Sequence, residues 1–107
     1  MELKVDADNF MLQQEVFTGE MIARIAEHLE RAGIKGALLK ELTGDISFEI
    51  ASMIDSSSSI SFDGDEAYPY LAFLSGESDN ELVHLGGNST CHEMVYGILN
   101  AMFEDSI

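Results

Sequence analysis

The sequence has few of the residues that cross-link or stiffen a chain. It contains one cysteine, Cys91, one proline and no tryptophan among 107 residues. A single cysteine excludes an internal disulfide and a four-cysteine zinc site, which favours a reducing, cytoplasmic location. Asp6 and Asp8 interrupt the stretch where a signal peptide would be apolar, and no run approaches the ~20 apolar residues of a membrane span. We therefore expect neither secretion nor membrane insertion, and no metal or other cofactor.

Basic residues are also scarce, and they are confined to one part of the chain. Five Lys and Arg residues stand against 20 Asp and Glu residues, the net charge at pH 7 is -15, and no Lys or Arg follows Lys40. The region 41–107 therefore carries negative charge with no cation to neutralise it. Such a field repels nucleic acid and anionic lipid and attracts basic proteins. Direct nucleic-acid binding is disfavoured, and the charge either recruits a basic partner or only maintains solubility.

Hydrophobic residues are abundant enough to build a core. They make up 46% of the sequence and include six Phe and three Tyr residues, which is too many for a disordered acidic chain. A chain of this length has room for one core. We therefore expect residues 1–107 to form a single acidic domain.

Capping signals predict two main helices. Thr18 is the predicted N-cap of the first helix, and Gly33 is its predicted stop. The last helix is predicted to start at Ser89 or Thr90, and a cap at Thr90 would form a capping box with Glu93. That last helix is apolar over more of its circumference than one core-facing stripe needs, so its second face packs either in a groove or against a partner.

Alternating apolar residues predict several short strands. The segments are 3–5, 60–62, 70–74 and 81–85, with Asp63-Gly64 as a hairpin turn. Residues 45–54 fit a strand or a helix, and their β-branched and aromatic side chains favour the strand. The predicted fold class is α+β, an antiparallel sheet of about four strands with two main helices packed on one face. The predicted core is Ile22, Ile25, Leu29, Ile46, Phe48, Ile50, Phe62, Leu71, Phe73, Leu82, Val95, Ile98 and Met102.

One segment contains the ingredients of nucleophilic catalysis. Cys91 falls in the first turn of the last helix, where free amides and the helix dipole favour a thiolate, and His84 ends the preceding strand. The pair is a candidate nucleophile and base of a small enzyme or ligand-binding domain. The opposing interpretation is that Cys91 is a small buried hydrophobe, because it begins the apolar stripe of that helix. No other catalytic or metal-binding motif is evident, and an enzyme is the less favoured class.

The charge distribution favours a binding function. We expect an acidic protein-binding module that inhibits, escorts or neutralises a basic protein, by analogy with small immunity proteins and antitoxins. The predicted partner-binding residues combine carboxylates with aromatic anchors. They are Asp63, Asp65, Glu66, Tyr68, Tyr70, Glu77, Asp79 and Glu81.

The alternative is a structural or assembly protein that associates with itself through the apolar C-terminal helix. The predicted contact residues of such a homodimer are Met94, Ile98, Leu99, Met102 and Phe103.

Overall fold

The computed structural model describes residues 1–104, which form three helices and two small sheets. The elements in chain order are β1 (Glu2–Val5), α1 (Ala7–Arg31), α2 (Gly36–Ile54), β2 (Ser61–Phe62), β3 (Asp65–Glu66), β4 (Phe73–Leu74), β5 (Glu81–His84) and α3 (Cys91–Met102). The mixed α+β class is confirmed. Within residues 1–104, no helix is both long and apolar enough to cross a membrane.

The strands form two separate sheets, so the predicted single antiparallel sheet of about four strands is wrong. The larger sheet has the order β1-β5-β4, with β1 parallel to β5 and β4 antiparallel to it. Parallel pairing of β1 with β5 requires a long crossover, which the helices α1 and α2 provide. The other sheet is the β2–β3 hairpin, in which Phe62 pairs with Asp65. Its turn residues Asp63 and Gly64 have φ values of 54° and 89°, which confirms the predicted Asp-Gly reversal.

Residues 45–54 belong to α2, so the preference for a strand there was wrong. Leu39, Thr43, Ser47 and Ala51 recur every four residues and are all buried, which is the period of one helix face. Small side chains on this face allow α3 to approach closely. A Cβ atom at Gly44 would lie 2.7 Å from Leu99 Cδ2. The close approach of α3 therefore selects the helical alternative over the strand.

Helix α1 begins eleven residues before the predicted cap. Asp6 is its N-cap, and the Asp6 side chain accepts a hydrogen bond from the Asn9 amide at 3.2 Å. Thr18 is fully buried in the middle of the helix, so its prediction as a cap was wrong. The predicted stop is confirmed, because Gly33 has a φ of 93° just beyond Arg31, as a glycine C-terminal stop requires.

The core lies between the three helices. It comprises Ile22, Ala51, Cys91, Val95 and Leu99. A second buried contact joins α1 to the three-stranded sheet, where the Phe10 and Phe73 rings lie 5.2 Å apart and Val83 is fully buried.

Several predicted core residues lie elsewhere. Ile22 and Val95 are confirmed, whereas Phe62 is 85% exposed and Met102 is 42% exposed. Phe62 is exposed because its two-residue strand pairs only within the β2–β3 hairpin. Phe48 and Ile50 are also exposed, and Phe48 lies beside α3, with its ring centroid 5.6 Å from that of Tyr96. Phe10 was absent from the predicted core because the first helix was placed too late in the sequence.

Candidate functional site

The structure gives Cys91 and His84 different partners. Cys91 is fully buried at the start of α3, and its Sγ lies 3.8 Å from Gln14 Oε1. The His84 ring, at the end of β5, contacts the Tyr70 hydroxyl through Nδ1. Burial, with the nearby Asp55 carboxylate, raises the pKa of the Cys91 thiol to about 11. Within residues 1–104 no hydrogen bond joins Cys91 to His84, and this environment opposes a thiolate.

Cys91 is therefore expected to be unreactive in the folded protein. At pH 7 a thiol with a pKa near 11 is ionised in only about one molecule in ten thousand, and its sulfur is shielded from solvent. A maleimide or disulfide reagent should modify Cys91 at the rate of unfolding, and rapidly in denaturant. His84→Ala should leave the native rate unchanged. A fast reaction of the native protein that slows in His84→Ala would instead support Cys91 as a nucleophile and His84 as its general base.

A buried carboxylate that is not among the predicted site residues lies beside Cys91. Asp55 follows the last residue of α2, and its side chain accepts hydrogen bonds from the Ser89 hydroxyl at 2.5 Å, the His92 amide at 2.7 Å and His92 Nδ1 at 2.6 Å. Burial alone would raise the pKa of Asp55, but these donors outweigh it and lower the pKa below its ordinary value near 3.8. The carboxylate also faces the positive end of the α3 dipole.

A second distant side chain completes the N-terminus of α3. Gln14 Oε1 accepts a hydrogen bond from the Thr90 amide at 2.7 Å, and Gln14 Nε2 donates to Thr90 Oγ1 at 3.1 Å. Thr90 makes no capping bond with its own side chain, so the predicted capping box with Glu93 is wrong. Gln14 from α1 and Asp55 from α2 therefore tie α3 to the other two helices. The polar side chains of Gln14 and Asp55 therefore have a structural role, which is to cap α3 and hold it against α1 and α2.

No metal centre emerges from these side chains. Among residues 1–104, no group of three or more His, Cys, Asp or Glu side chains has a geometry that could hold a metal ion.

The predicted partner-binding residues fall in two segments. The β2–β3 hairpin carries Asp63, Asp65 and Glu66, and Tyr68 follows it with 80% of its surface exposed. The Tyr68 hydroxyl donates to the Glu66 carboxylate, and this bond raises the pKa of Tyr68. The hairpin therefore presents carboxylates together with two exposed aromatic rings, those of Tyr68 and Phe62.

The remaining predicted residues surround β5. The Tyr70 and His84 rings are in contact in a tilted arrangement, with centroids 5.7 Å apart. Glu77 and Asp79 lie in the connection between β4 and β5, where the Glu77 amide donates to Ser75 Oγ at 3.1 Å. Glu81 begins β5 and pairs with Glu2.

Most of the apolar face of α3 packs against the rest of the same molecule. Leu99 is buried in the core, and Ile98 and Phe103 pack against that core. Gln14 Nε2 lies 3.6 Å from the Met94 sulfur. Of the five predicted dimer contacts, Met102 is the most exposed, with 42% of its surface accessible.

An apolar groove that was not predicted from the sequence runs along α2, between α1 and the segment 60–71. Two adjoining depressions share Ile50 and Ile54. One, of about 520 Å³, lies against α1, and the other, of about 380 Å³, lies against the segment 60–71. We call the two together the isoleucine groove. Its apolar lining residues are Phe17, Met21, Ile25, Ile50, Met53, Ile54, Ile60, Pro69, Tyr70 and Leu71.

The charges at the isoleucine groove are predominantly negative. Glu20 and Arg24 line the α1 side and pair with each other at 3.0 Å. A neighbouring depression that shares Met53 and Ile60 with the groove adds the carboxylates of Asp45 and Glu49. The one cation that lines these three depressions is thus already paired. The isoleucine groove is therefore an apolar surface with carboxylates beside it.

Comparisons with known protein families, with characterised proteins and with solved structures found no match to this chain.

Proposed function

We propose that this protein is an acidic protein-binding module that captures a basic partner in the isoleucine groove. The observation that carries the proposal is an exposed apolar groove next to carboxylates that form no ion pair within residues 1–104. Exposed apolar patches of this kind mark interaction surfaces on soluble proteins. The lone free cysteine, Cys91, supports the cytoplasm as the proposed setting.

The floor of the groove supplies the apolar part of the proposed contact. Ile50, Met53 and Tyr70 each expose roughly two-fifths of their surface. Each of these side chains has more apolar area to bury when a partner covers it, and burial is worth roughly 25 cal/mol per Å². A partner segment with apolar residues on one face would therefore gain affinity from these three positions.

The carboxylates supply selectivity for a basic partner. Asp45 and Glu49 project from α2 beside the groove. Lys or Arg side chains on the rim of a bound segment would meet these acids. Rim charges of this kind govern association rate and partner choice more than they govern affinity.

The β2–β3 hairpin extends the proposed surface. It leaves the groove after Ile60 and returns to it at Pro69, and the Ala67 amide bonds the Ile60 carbonyl at 3.1 Å. The exposed rings of Phe62 and Tyr68 stand among the hairpin carboxylates. Aromatic residues with an apolar body are frequent anchors at interfaces. The hairpin and the groove can therefore contact one partner together.

A peptide-display selection tests this proposal directly. A random library panned on the protein should enrich peptides that combine Lys or Arg with apolar residues. Their affinity should fall about tenfold or more in the double variant Ile50→Ser and Met53→Ser, because truncation of central apolar contacts costs more than ~1 kcal/mol each. Leu12→Ser is the matched control, since Leu12 is exposed on α1 and does not line the groove.

The selected peptides also allow the charge contribution to binding to be measured separately from the apolar contribution. Asp45→Asn with Glu49→Gln should weaken the selected peptides at low salt and matter less at high salt. Enrichment of acidic peptides, or equal binding to the groove variant and to Leu12→Ser, would show that the isoleucine groove is not the partner site.

A further inference from the structure

Strand β1 is an uncovered edge of the three-stranded sheet. It pairs only with β5 among the described strands, and all four of its residues are exposed. The other edge, β4, is partly satisfied by α1, because Gln13 Nε2 donates to the Leu74 carbonyl at 2.8 Å and Asn9 Nδ2 to the Ser75 carbonyl at 3.0 Å. A free edge strand is a template for another strand. The two edges of this sheet are therefore not equivalent.

The hydrogen-bond pattern fixes which backbone groups of β1 are free. The Glu2 amide donates to the Asn80 carbonyl at 2.7 Å, and the Asp6 amide donates to the His84 carbonyl at 3.2 Å. Because neighbouring residues of a strand direct their backbone groups to opposite sides, Glu2, Lys4 and Asp6 face β5. Leu3 and Val5 therefore direct their amides and carbonyls away from the sheet.

The side chains of β1 are self-complementary in charge. Glu2 lies opposite Glu81 in the register with β5, and like charges in this position destabilise a sheet. Lys4 lies two residues away on the same face and forms no ion pair within residues 1–104. A lysine placed on the free side of Glu2 would offset the repulsion between the two glutamates.

We propose that β1 is a homodimer interface, to which β1 of a second copy adds in antiparallel orientation with Leu3 opposite Leu3. The free groups of the two Leu3 residues then bond each other across a two-fold axis. This register places Glu2 of each copy opposite Lys4 of the other. The same pairing thus satisfies the edge amides and neutralises both lysines.

The dimer continues the sheet and its apolar row. Leu3, Leu82 and Leu74 are register partners and lie on one face, opposite the face that carries Val83 against α1. In the dimer the two rows meet at the Leu3 pair on one six-stranded sheet. Leu3 is 54% exposed in the single chain, so it gains burial there. Helix α1 of each copy remains on the other face, and no residue of β1 lines the isoleucine groove.

Cross-linking tests this geometry directly. In Leu3→Cys, a short bismaleimide should join two copies, because facing residues of a hydrogen-bonded pair have Cα atoms about 5.5 Å apart. Native Cys91 is buried and gives no background. Leu12→Cys is the control, since Leu12 is also accessible on α1 but lies outside β1. Cross-linking of Leu3→Cys no greater than that of Leu12→Cys overturns the proposal.

A charge swap tests the register. By sedimentation at physiological salt, Lys4→Glu should raise the dimer dissociation constant about tenfold, because two pairs become repulsive. The double variant Glu2→Lys with Lys4→Glu should restore dimerisation, since it exchanges the charges across the same axis. Failure of the double variant to recover while it stays folded contradicts the register.

Leu3→Pro tests the backbone contact. It removes an amide that points away from the sheet in the single chain, so the monomer should keep its melting temperature while the dimer is lost. A wild-type protein that is monomeric at every concentration, or a dimer that survives both Leu3→Pro and Lys4→Glu, rules out this interface. Peptide capture by the groove is measured separately, so either proposal can fail without the other.

Discussion

Replacing Phe10 by Ala is expected to lower the free energy of unfolding by about 3–5 kcal/mol. Phe10 is fully buried, and its ring packs against Phe73 where α1 meets the three-stranded sheet. The truncation removes a large apolar side chain and leaves a cavity into which the surrounding structure relaxes only partially. Since a domain of this size has a total stability of about 5–15 kcal/mol, the variant should be close to unfolded at 37 °C. Urea denaturation followed by circular dichroism measures the change.

Leu12→Ala is the matched control for Phe10→Ala. Leu12 lies two residues later on the same helix, and 65% of its surface is exposed, so its loss should change the free energy of unfolding by less than about 0.5 kcal/mol. Equal effects of the two substitutions would mean that this face of α1 does not pack on the sheet.

Asp55→Ala is expected to cost about 3 kcal/mol of unfolding free energy. The substitution leaves the Ser89 hydroxyl, the His92 amide and the His92 ring without their shared acceptor, and unsatisfied buried donors cost about 1–3 kcal/mol each before relaxation. It also removes a negative charge from the positive end of α3. Chemical denaturation measures the loss. Asp45→Ala, an exposed acid on α2, should change stability by less than about 0.5 kcal/mol.

The Asp55 contribution should also depend on pH. Its pKa is lower in the folded protein than in the unfolded chain, so the folded state binds this proton less readily. The stabilisation is therefore complete above the unfolded value near 3.8 and is lost as the pH falls through the folded value. Asp55→Asn should flatten the decline in stability below about pH 4 relative to the wild type. An identical acid profile in both proteins would contradict this role.

The parts of the fold that local chemistry dictates were predictable from the sequence. The Asp63-Gly64 turn and the stop at Gly33 each depend on residues that are neighbours in the chain. The α2 helix depends on a distant contact. Its β-branched residues favour a strand locally, but packing against Leu99 at Gly44 overrides that preference.

The candidate site was predictable only in part, for a similar reason. The hairpin carboxylates and Tyr68 could be chosen because they are close in sequence and polar. The isoleucine groove combines side chains from α1, α2 and the segment 60–71, and no local pattern joins them. Asp55 resembled any other surface acid among 20. Two signals in the sequence favoured a helix for α2. One is the i, i+4 series at 39, 43, 47 and 51, which marks the buried face, and the other is the spacing of Ile46, Ile50, Met53 and Ile54, which also fits one helix face.

The pairing of α3 with Gln14 and Asp55 has a consequence for how the chain folds. Gln14 and Thr90 are 76 residues apart, so the cap of the last helix cannot form until most of the chain has been brought together. The parallel pairing of β1 with β5 closes a loop of similar length, and such closures cost chain entropy before their contacts form. The helix pair α1–α2 has short-range contacts and can assemble first, with the sheet completed last. Newly made chains would therefore present β1 as an ordered edge only after β5 has been made and paired with it, which limits premature pairing of this strand with unfolded neighbours.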